Sequence, residues 1–205
     1  RLGADTHDDQ IGIELRTVGE GDLADAIVCD GLLPWAKDFL PPGARLGEQL
    51  ARFRAQGCDH ISLTAAAGAD GPVEAAARLG FLRREIAAAG DWLTIAVDAA
   101  SIRQAKAQGR FSVSFHFQSA TPFAPDLDLV EAFRAAGIDR AILAYNEANS
   151  FADGCHEPRN GGLSALGRRL IARMDSVGAK VIVFGPYEKG KSNEGLTSAQ
   201  QLAKV

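Results

Sequence analysis

The stretch that decides the fold is Arg140-Ala-Ile-Leu-Ala-Tyr145, which runs directly into Asn146-Glu-Ala-Asn149-Ser-Phe-Ala-Asp153-Gly-Cys-His-Glu157. Its first part is a short apolar run of the kind found in parallel strands that are buried on both faces. Its second part is polar, and a helical pattern begins after Gly162. A strand followed by a polar loop and then a helix is the repeating unit of an α/β barrel, which carries its functional residues at the carboxyl ends of the strands.

The same alternation extends along most of the chain. Five other strand-like runs occupy residues 26–29, 60–64, 92–97, 111–117 and 180–184. Helical patterns, with apolar residues three and four positions apart, cover residues 46–56, 73–89, 101–108, 127–136 and 163–177. A glycine ends each helix, where left-handed backbone is favoured, at Gly57, Gly90, Gly109, Gly137 and Gly178. This pattern predicts an α/β fold, a (β/α)-barrel of the TIM type.

The length of the chain suggests an incomplete barrel. About six strand–helix units fit into 205 residues, whereas a complete barrel usually needs about 250 residues. We therefore expect a partial or truncated barrel over residues 26–205, after an irregular segment over residues 1–25. The helical pattern over residues 198–205, at the end of the chain, agrees with truncation. An open doubly wound sheet is the alternative.

Composition narrows the functional class. The formal net charge is −4, and without a basic stripe a nucleic-acid partner is not expected. No apolar run approaches the roughly 18 residues of a membrane span. The start of the chain lacks a signal-peptide pattern, and three widely spaced cysteines form no disulfide framework. These features predict a cytoplasmic protein, and an unpaired edge of a partial barrel would favour a homo-oligomer.

Several segments, in order, resemble the membrane (renal-type) dipeptidase family, in particular its bacterial branch. Val28-Cys-Asp30-Gly31-Leu32 resembles the first strand of that family, and Phe115-His-Phe-Gln118 resembles its "Gly-Phe-Gln-Asn" strand. Leu143-Ala-Tyr-Asn-Glu-Ala-Asn149, with the following Gly154-Cys155 and Glu157, resembles its "Leu-Thr-Tyr-Asn-x-x-Asn … Gly-x-Gly-Cys-x-Glu".

The resemblance implies a (β/α)-barrel with two zinc ions at the carboxyl ends of its strands. A bridging Glu and a set of His and Asp ligands hold them, and a metal-bound hydroxide hydrolyses a small dipeptide. Zinc suits this reaction because it lowers the pKa of bound water to about 7 and stabilises the developing oxyanion.

The sequence departs from the family at its metal ligands. Leu32-Leu33-Pro34 stands where zinc-binding members carry His-x-Asp, and Gln118 aligns with the bridging Glu. Tyr145 aligns with a substrate-contacting His, and no His follows Gly178. Two zinc ions are therefore expected only if the chain is active, and this sequence alone identifies no metal ligand.

The candidate site residues fall into two groups. The predicted catalytic residues are Asp30, Gln118 and Tyr145. The predicted substrate-binding residues are His116, Asn146, Asn149, Asp153 and Glu157.

Each candidate has a structural alternative. Asp30 could cap the turn that follows it, and His116 could be a hydrogen-bonded core histidine instead of a pocket residue. Asn146 and Asn149 could order their own loop, because Asn often bonds nearby backbone. His60 opens its strand at the amino end, where a structural role is favoured.

Three functions remain open from the sequence. The first is a metal-dependent dipeptidase that acts on small dipeptides. The second is a non-catalytic family member that binds a small polar ligand. The third is a different TIM-barrel enzyme such as a sugar isomerase, suggested only by the segment after Gly178.

Overall fold

A computed structural model describes residues 26–34, 42–158 and 161–182 of the chain. Its strands form one parallel six-stranded sheet, composed of β1 Cys29–Leu33, β2 His60–Ala66, β3 Leu93–Ile95, β4 Phe111–Phe117, β5 Ile138–Ile142 and β6 Lys180–Ile182. The intervening helices are α1 Leu46–Ala55, α2 Pro72–Ala89, α3 Ala99–Ala107, a 3-10 helix at Thr121–Phe123, α4 Leu129–Ala135 and α5 Ala165–Ser176.

The sheet is curled like part of a barrel. Arg140 Nη2 on β5 donates to the Gly31 carbonyl on β1 at 3.0 Å, although β2 and β4 lie between these two strands. One side chain cannot span two intervening strands of a flat sheet, because strands lie about 4.8 Å apart. The predicted α/β class and partial TIM-like barrel are therefore confirmed.

Strand β4 is the centre of the sheet, whose order is β1-β2-β4-β5-β6. Strand β2 pairs along nearly the whole of β4. Strand β3 pairs with the amino-terminal half of β4, and β5 pairs with its carboxyl-terminal half. Because a strand has two edges, β3 and β5 share the edge of β4 that β2 leaves open.

The two faces of β2 and β4 differ in chemistry because successive side chains point to opposite sides. One face is apolar and joins the helix residues in a single core, with Ile61, Leu63, Val113 and Phe115 at its centre. The other face carries His60, Ser62 and Thr64 on β2 and Ser112, Ser114 and His116 on β4, all of them buried. The concave side of the sheet is therefore lined by polar groups.

Local signals explain where the helices begin and end. Asp98 caps α3, since its Oδ1 accepts from the Ser101 backbone N–H at 2.7 Å. Ser101 is the third residue of the helix, and its hydroxyl accepts from the Asp98 N–H at 3.1 Å. All five glycines predicted to end helices have positive φ, between 66° and 101°.

Strand boundaries differ from the sequence prediction at two places that concern the site. Strand β1 starts at Cys29, where the predicted strand ended, so Asp30 lies inside the strand and pairs with Ile61. Strand β5 ends at Ile142, so Tyr145 follows the strand by three residues. The pairing partner decides both boundaries, and a short apolar run does not reveal its partner.

Some predictions fall outside the described residues. These are the irregular segment 1–25, the end of the last predicted strand at 183–184 and the helical pattern over 198–205. Among the helices that the structure describes, none has the length and apolar character needed to cross a membrane.

Candidate functional site

A cleft of about 510 Å³ opens at the carboxyl ends of β2, β4 and β5. Its lining consists of Ala67, Gly68, Ala69, Gln118, Ser119, Thr121, Tyr145, Asn146, Glu147, Ala148, Asn149 and Ser150. The structure thus brings four predicted site residues together, namely Gln118, Tyr145, Asn146 and Asn149. A larger groove of about 720 Å³ runs along α1, but within the described part of the chain its lining has only Arg52 and Cys58 as titratable residues. The cleft is therefore the candidate functional site.

Gln118 is the first residue after β4 and is fixed through its backbone. Its N–H donates to the Ala66 carbonyl at 2.7 Å, which extends the β2–β4 pairing by one step. Its side chain is half-buried and has no hydrogen-bond partner among the residues that the structure describes. The amide thus lies at the end of a rigid strand with a donor and an acceptor available to a ligand.

Tyr145 and Asn146 are held by a close contact between two parts of the same loop. The backbone N–H groups of Cys155 and His156 donate to the carbonyls of Tyr145 and Asn146, each at 2.8 Å. A Cβ at Gly154 would lie 2.4 Å from the Asn146 carbonyl carbon, so this approach requires glycine. The Tyr145 side chain remains 44% exposed at the cleft.

Asn149 has the geometry of the loop-ordering role. Its Nδ2 donates to the Leu143 carbonyl at 2.6 Å and to the Ser119 hydroxyl at 3.4 Å. Its Oδ1 accepts from the N–H groups of Phe151 and Ala152 at 2.8 and 3.2 Å. An amide offers two hydrogens and two lone pairs. Both hydrogens and both lone pairs of the Asn149 amide therefore have partners within the protein.

Asp153 and Glu157, both predicted to bind substrate, are outside the cleft lining. Asp153 Oδ2 accepts from the Gly161 N–H at 2.6 Å, and Glu157 Oε1 accepts from the Ala148 N–H at 2.7 Å. Both carboxylates fasten the loop that follows β5. These bonds hold the two carboxylates on the backbone of the loop, and neither of them belongs to the cleft lining.

Asp30, predicted to be catalytic, is also absent from the cleft lining. Its Oδ1 accepts from the Leu32 N–H at 3.0 Å, two residues further on. Asp30 thus bonds local backbone, as in the capping alternative, but it does so within β1, where the pairing with β2 is irregular between Asp30 and Leu33.

His116 lies below the cleft, fully buried on the concave face. Its Nδ1 is 2.8 Å from the Ser62 hydroxyl and its Nε2 is 3.0 Å from the Thr64 hydroxyl. Thr64 donates its hydrogen to the Leu33 carbonyl, so it accepts from Nε2–H of His116, and Ser62 donates to Nδ1. His116 is therefore the hydrogen-bonded core histidine of the two alternatives, and its place in a pocket is not what the structure shows.

His60 has a similar pair of partners with the strands exchanged. Its ring is on β2 and its partners are on β4, nearer the amino ends of the strands. Its Nδ1 and Nε2 lie 2.9 and 3.1 Å from the hydroxyls of Ser112 and Ser114. The structural role predicted for His60 is confirmed. We call His60, Ser62, Thr64, Ser112, Ser114 and His116 together the histidine cluster.

Burial keeps both histidines neutral. It lowers the pKa of His60 to about 4 and that of His116 to about 3, and the positive charge of Arg140 adds to both shifts. Arg140 is the register neighbour of His116 on β5. A protonated imidazole would therefore meet both a desolvated environment and a like charge.

The residues in this part of the chain do not fit a zinc centre. Among the described residues, no three or more His, Cys, Asp or Glu side chains are grouped so that they could hold a metal ion. The cleft lining contributes neutral amides and hydroxyls and one carboxylate, Glu147. Zinc sites in proteins are built from thiolate, imidazole and carboxylate ligands.

The family model of the membrane dipeptidases, peptidase family M19, matches residues 50–183. This chain belongs to the membrane dipeptidase family. The match covers β2 to β6 and therefore includes the whole of the cleft lining, and it confirms the family that the sequence resembles. No curated protein matches the chain.

Solved structures of relatives share the fold. An amidohydrolase from Pseudomonas aeruginosa is 28% identical with a TM-score of 0.66, over 78% of this chain and 46% of that one. Dipeptidase AC, a metallopeptidase of family M19, is 21% identical with a TM-score of 0.62, over 76% of this chain and 55% of that one.

A metallopeptidase from Rhodobacter sphaeroides, solved with a phosphinate mimic of the dipeptide L-Ala-D-Ala, is 20% identical with a TM-score of 0.57. The match covers 64% of this chain and 48% of that one. The chain thus spans about half the length of these relatives.

Sequence reasoning missed one side of the cleft. The loop after β2, with Ala67, Gly68 and Ala69, and the hydroxyls of Ser119 and Thr121 also line it. Their place in the sequence could have predicted this. These residues follow the strands β2 and β4, and loops at the carboxyl ends of neighbouring parallel strands lie at the same edge of the sheet.

Proposed function

We propose that the cleft at the carboxyl ends of β2, β4 and β5 binds a small dipeptide, as part of a dipeptidase-type barrel. The observation that carries this proposal is the Gln118 amide, which projects from a rigid strand end into a cleft without an internal partner among the described residues. Membership of the membrane dipeptidase family supports a peptide ligand, and the Rhodobacter relative with its dipeptide mimic supports a small one.

The charge of the lining suggests how a dipeptide would be oriented. Among the described residues of the lining, Glu147 is the one charged side chain, and the other polar side chains are amides and hydroxyls. A dipeptide is a zwitterion, so its ammonium group would lie towards Glu147 and its carboxylate towards neutral donors such as Gln118 and Asn146. The free amino group would add only modestly to affinity, because Glu147 is exposed.

Calorimetric titration with L-Ala-D-Ala tests the proposal. We expect saturable binding by the wild type and about ten-fold weaker binding by Gln118→Ala, which loses one or two ligand hydrogen bonds. N-acetyl-L-Ala-D-Ala should bind about two- to five-fold more weakly than the free dipeptide.

Lys106→Met is the matched control, because Lys106 forms an ion pair with Asp59 at 2.8 Å, at the opposite edge of the sheet. It should bind the dipeptide like the wild type. Equal affinity of the wild type and Gln118→Ala would remove the proposed site.

Hydrolysis of the dipeptide is the second candidate function, favoured by the family match itself. Release of free alanine from L-Ala-D-Ala by protein equilibrated with zinc measures it. The informative variant is Gln118→Glu, which places a carboxylate where the resemblance implies a bridging Glu. Alanine release by the wild type would establish hydrolysis, whereas binding without release by either protein would leave the binding role alone.

A further inference from the structure

A chain of hydrogen bonds joins the three loops that form the cleft. Asn149 Nδ2, in the loop after β5, is 3.4 Å from the Ser119 hydroxyl after β4. The Ser119 hydroxyl lies 2.7 Å from the Thr121 hydroxyl, and that hydroxyl lies 3.1 Å from the Gly68 carbonyl after β2. We call this series the loop relay.

The direction of every step in the loop relay is determined. The Gly68 carbonyl can only accept a hydrogen bond, so the Thr121 hydroxyl donates its single hydrogen to it. The hydrogen between the two hydroxyls must then come from Ser119. Ser119 in turn accepts from Asn149 Nδ2 and, at 3.4 Å, from the Thr121 N–H. The Ser119 hydrogen therefore depends on the Thr121 hydroxyl, and the Thr121 hydrogen depends on the Gly68 carbonyl.

The loop relay ends on the groups that shape the cleft. Ser119 directly follows Gln118 in the chain. It is only 5% exposed, so water has little access to replace a lost hydrogen-bond partner. Asn149 also binds the N–H groups of Phe151 and Ala152, and so orders the loop that presents Tyr145 and Asn146. A change at Thr121 would therefore reach both sides of the cleft.

We propose that Ser119 and Thr121 are positioning residues, which set the distance between Gln118 and the loop of Tyr145 and Asn146 through the loop relay. This inference rests on the proposed dipeptide-binding function for its consequence. The relay itself is a property of the protein without ligand. The two can therefore be tested separately.

The experiment compares Thr121→Val with Thr121→Ser. Valine keeps the shape of threonine and removes the hydroxyl, whereas serine keeps the hydroxyl and removes the methyl group. For Thr121→Val we expect the amides of Phe151 and Ala152 to exchange hydrogen for deuterium about five-fold faster, and affinity for L-Ala-D-Ala to fall about five-fold. Thr121→Ser should match the wild type in both measurements, and so should Lys106→Met.

Three results would overturn the inference. Unchanged exchange in Thr121→Val would show that the relay does not order the loop. Equal effects of valine and serine would show that packing of the methyl group matters instead. Equal effects of Thr121→Val and Lys106→Met would reduce the role to general stability. If the wild type binds no dipeptide, the proposed function fails, and the exchange measurement alone decides the relay.

Discussion

The histidine cluster and the cleft both involve strands β2 and β4, but their polar side chains are in different environments. Those of the cluster are buried and bonded to one another, whereas the cleft has polar side chains that are open to solvent. In the cluster, both ring nitrogens of His60 and of His116 have hydroxyl partners at 2.8 to 3.1 Å, and all members are buried. At the cleft, Gln118 keeps its amide without a partner among the described residues, and Tyr145 is 44% exposed.

Along the same pair of strands, the buried polar side chains therefore contribute to stability, and those at the strand ends are available for binding. Polar groups in a closed interior must satisfy one another, because an unpaired buried group costs roughly 1–3 kcal/mol. Polar groups at the strand ends are solvated, so they can exchange water for a ligand. Changes in the cluster should therefore alter folding, and changes in the cleft should alter binding.

The largest effect should come from acid acting on the cluster. Both histidines have a pKa in the fold below the ordinary value of 6.5, about 4 for His60 and about 3 for His116. The unfolded chain therefore binds more protons below pH 6.5, so the stability present above that pH is lost as pH falls towards these values. Well below pH 6.5 each histidine changes the free energy of unfolding by up to about 1.4 kcal/mol per pH unit, and the two together change it by about 4 kcal/mol between pH 7.5 and pH 5.

Urea unfolding at pH 7.5 and pH 5 measures this loss, and His116→Leu provides the comparison. The variant is less stable at neutral pH, but about half of the histidine-dependent loss on acidification should disappear. A loss of the same size in His116→Leu and the wild type would show that His116 does not contribute to it.

The next effect concerns the backbone that supports the cleft. Gly154→Ala places a Cβ 2.4 Å from the Asn146 carbonyl carbon, so the loop must move apart. We expect a loss of about 3 kcal/mol in the free energy of unfolding, the upper end for overpacking. Gly31→Ala is the matched control, since a Cβ there meets no atom within 4 Å. Equal stability of these two variants would contradict the close contact.

A smaller effect separates the two asparagines of the same loop. Asn149→Ala leaves the Leu143 carbonyl and the Phe151 and Ala152 N–H groups without their partner, which should cost about 2 kcal/mol. Asn146→Ala removes one long contact from Cys155 Sγ at 3.5 Å and should cost less than about 0.5 kcal/mol. Thermal unfolding of the two variants measures the difference, and the reverse order would place Asn146 in the ordering role.

The smallest effect is expected at the predicted binding group. Gln118→Ala should change the free energy of unfolding by less than about 0.5 kcal/mol, because the side chain is partly exposed and has no described partner. Chemical denaturation would measure it. A loss as large as that of Asn149→Ala would mean that Gln118 belongs with the structural residues.

The alternation of strands and helices was predictable from the sequence because its signals are local. Phe111–Phe117 forms the predicted strand residue for residue, and helix α1 begins at the predicted Leu46. The predicted glycines end their helices with positive φ because that backbone region favours glycine. The boundaries of β1 and β5 were not predictable to the same degree, since pairing with β2, β4 and β6 fixes them.

The site was predictable where strand ends decide it. Gln118, Tyr145 and Asn146 share a cleft because they follow the neighbouring strands β4 and β5. The setting of His116 could not be predicted, because its partners Ser62 and Thr64 are 54 and 52 positions away on another strand. Asn149 shows the same limit, since the direction of its amide depends on Leu143 and Ser119 together.

The central place of β4 has a consequence for how the chain is made. Strand β2 pairs with β4, and the paired residues His60 and Ser112 are 52 positions apart, with all of β3 between them. During synthesis from the amino end, β2 must therefore wait until β4 has emerged before it can pair with it. Its sequence His-Ile-Ser-Leu-Thr-Ala-Ala contains no acidic, lysine or arginine side chain. Strands of this kind, when left unpaired, are prone to aggregate. Strand β1 is made before β2 and pairs with one of its edges, so the other edge of β2 stays open until β4 has been synthesised.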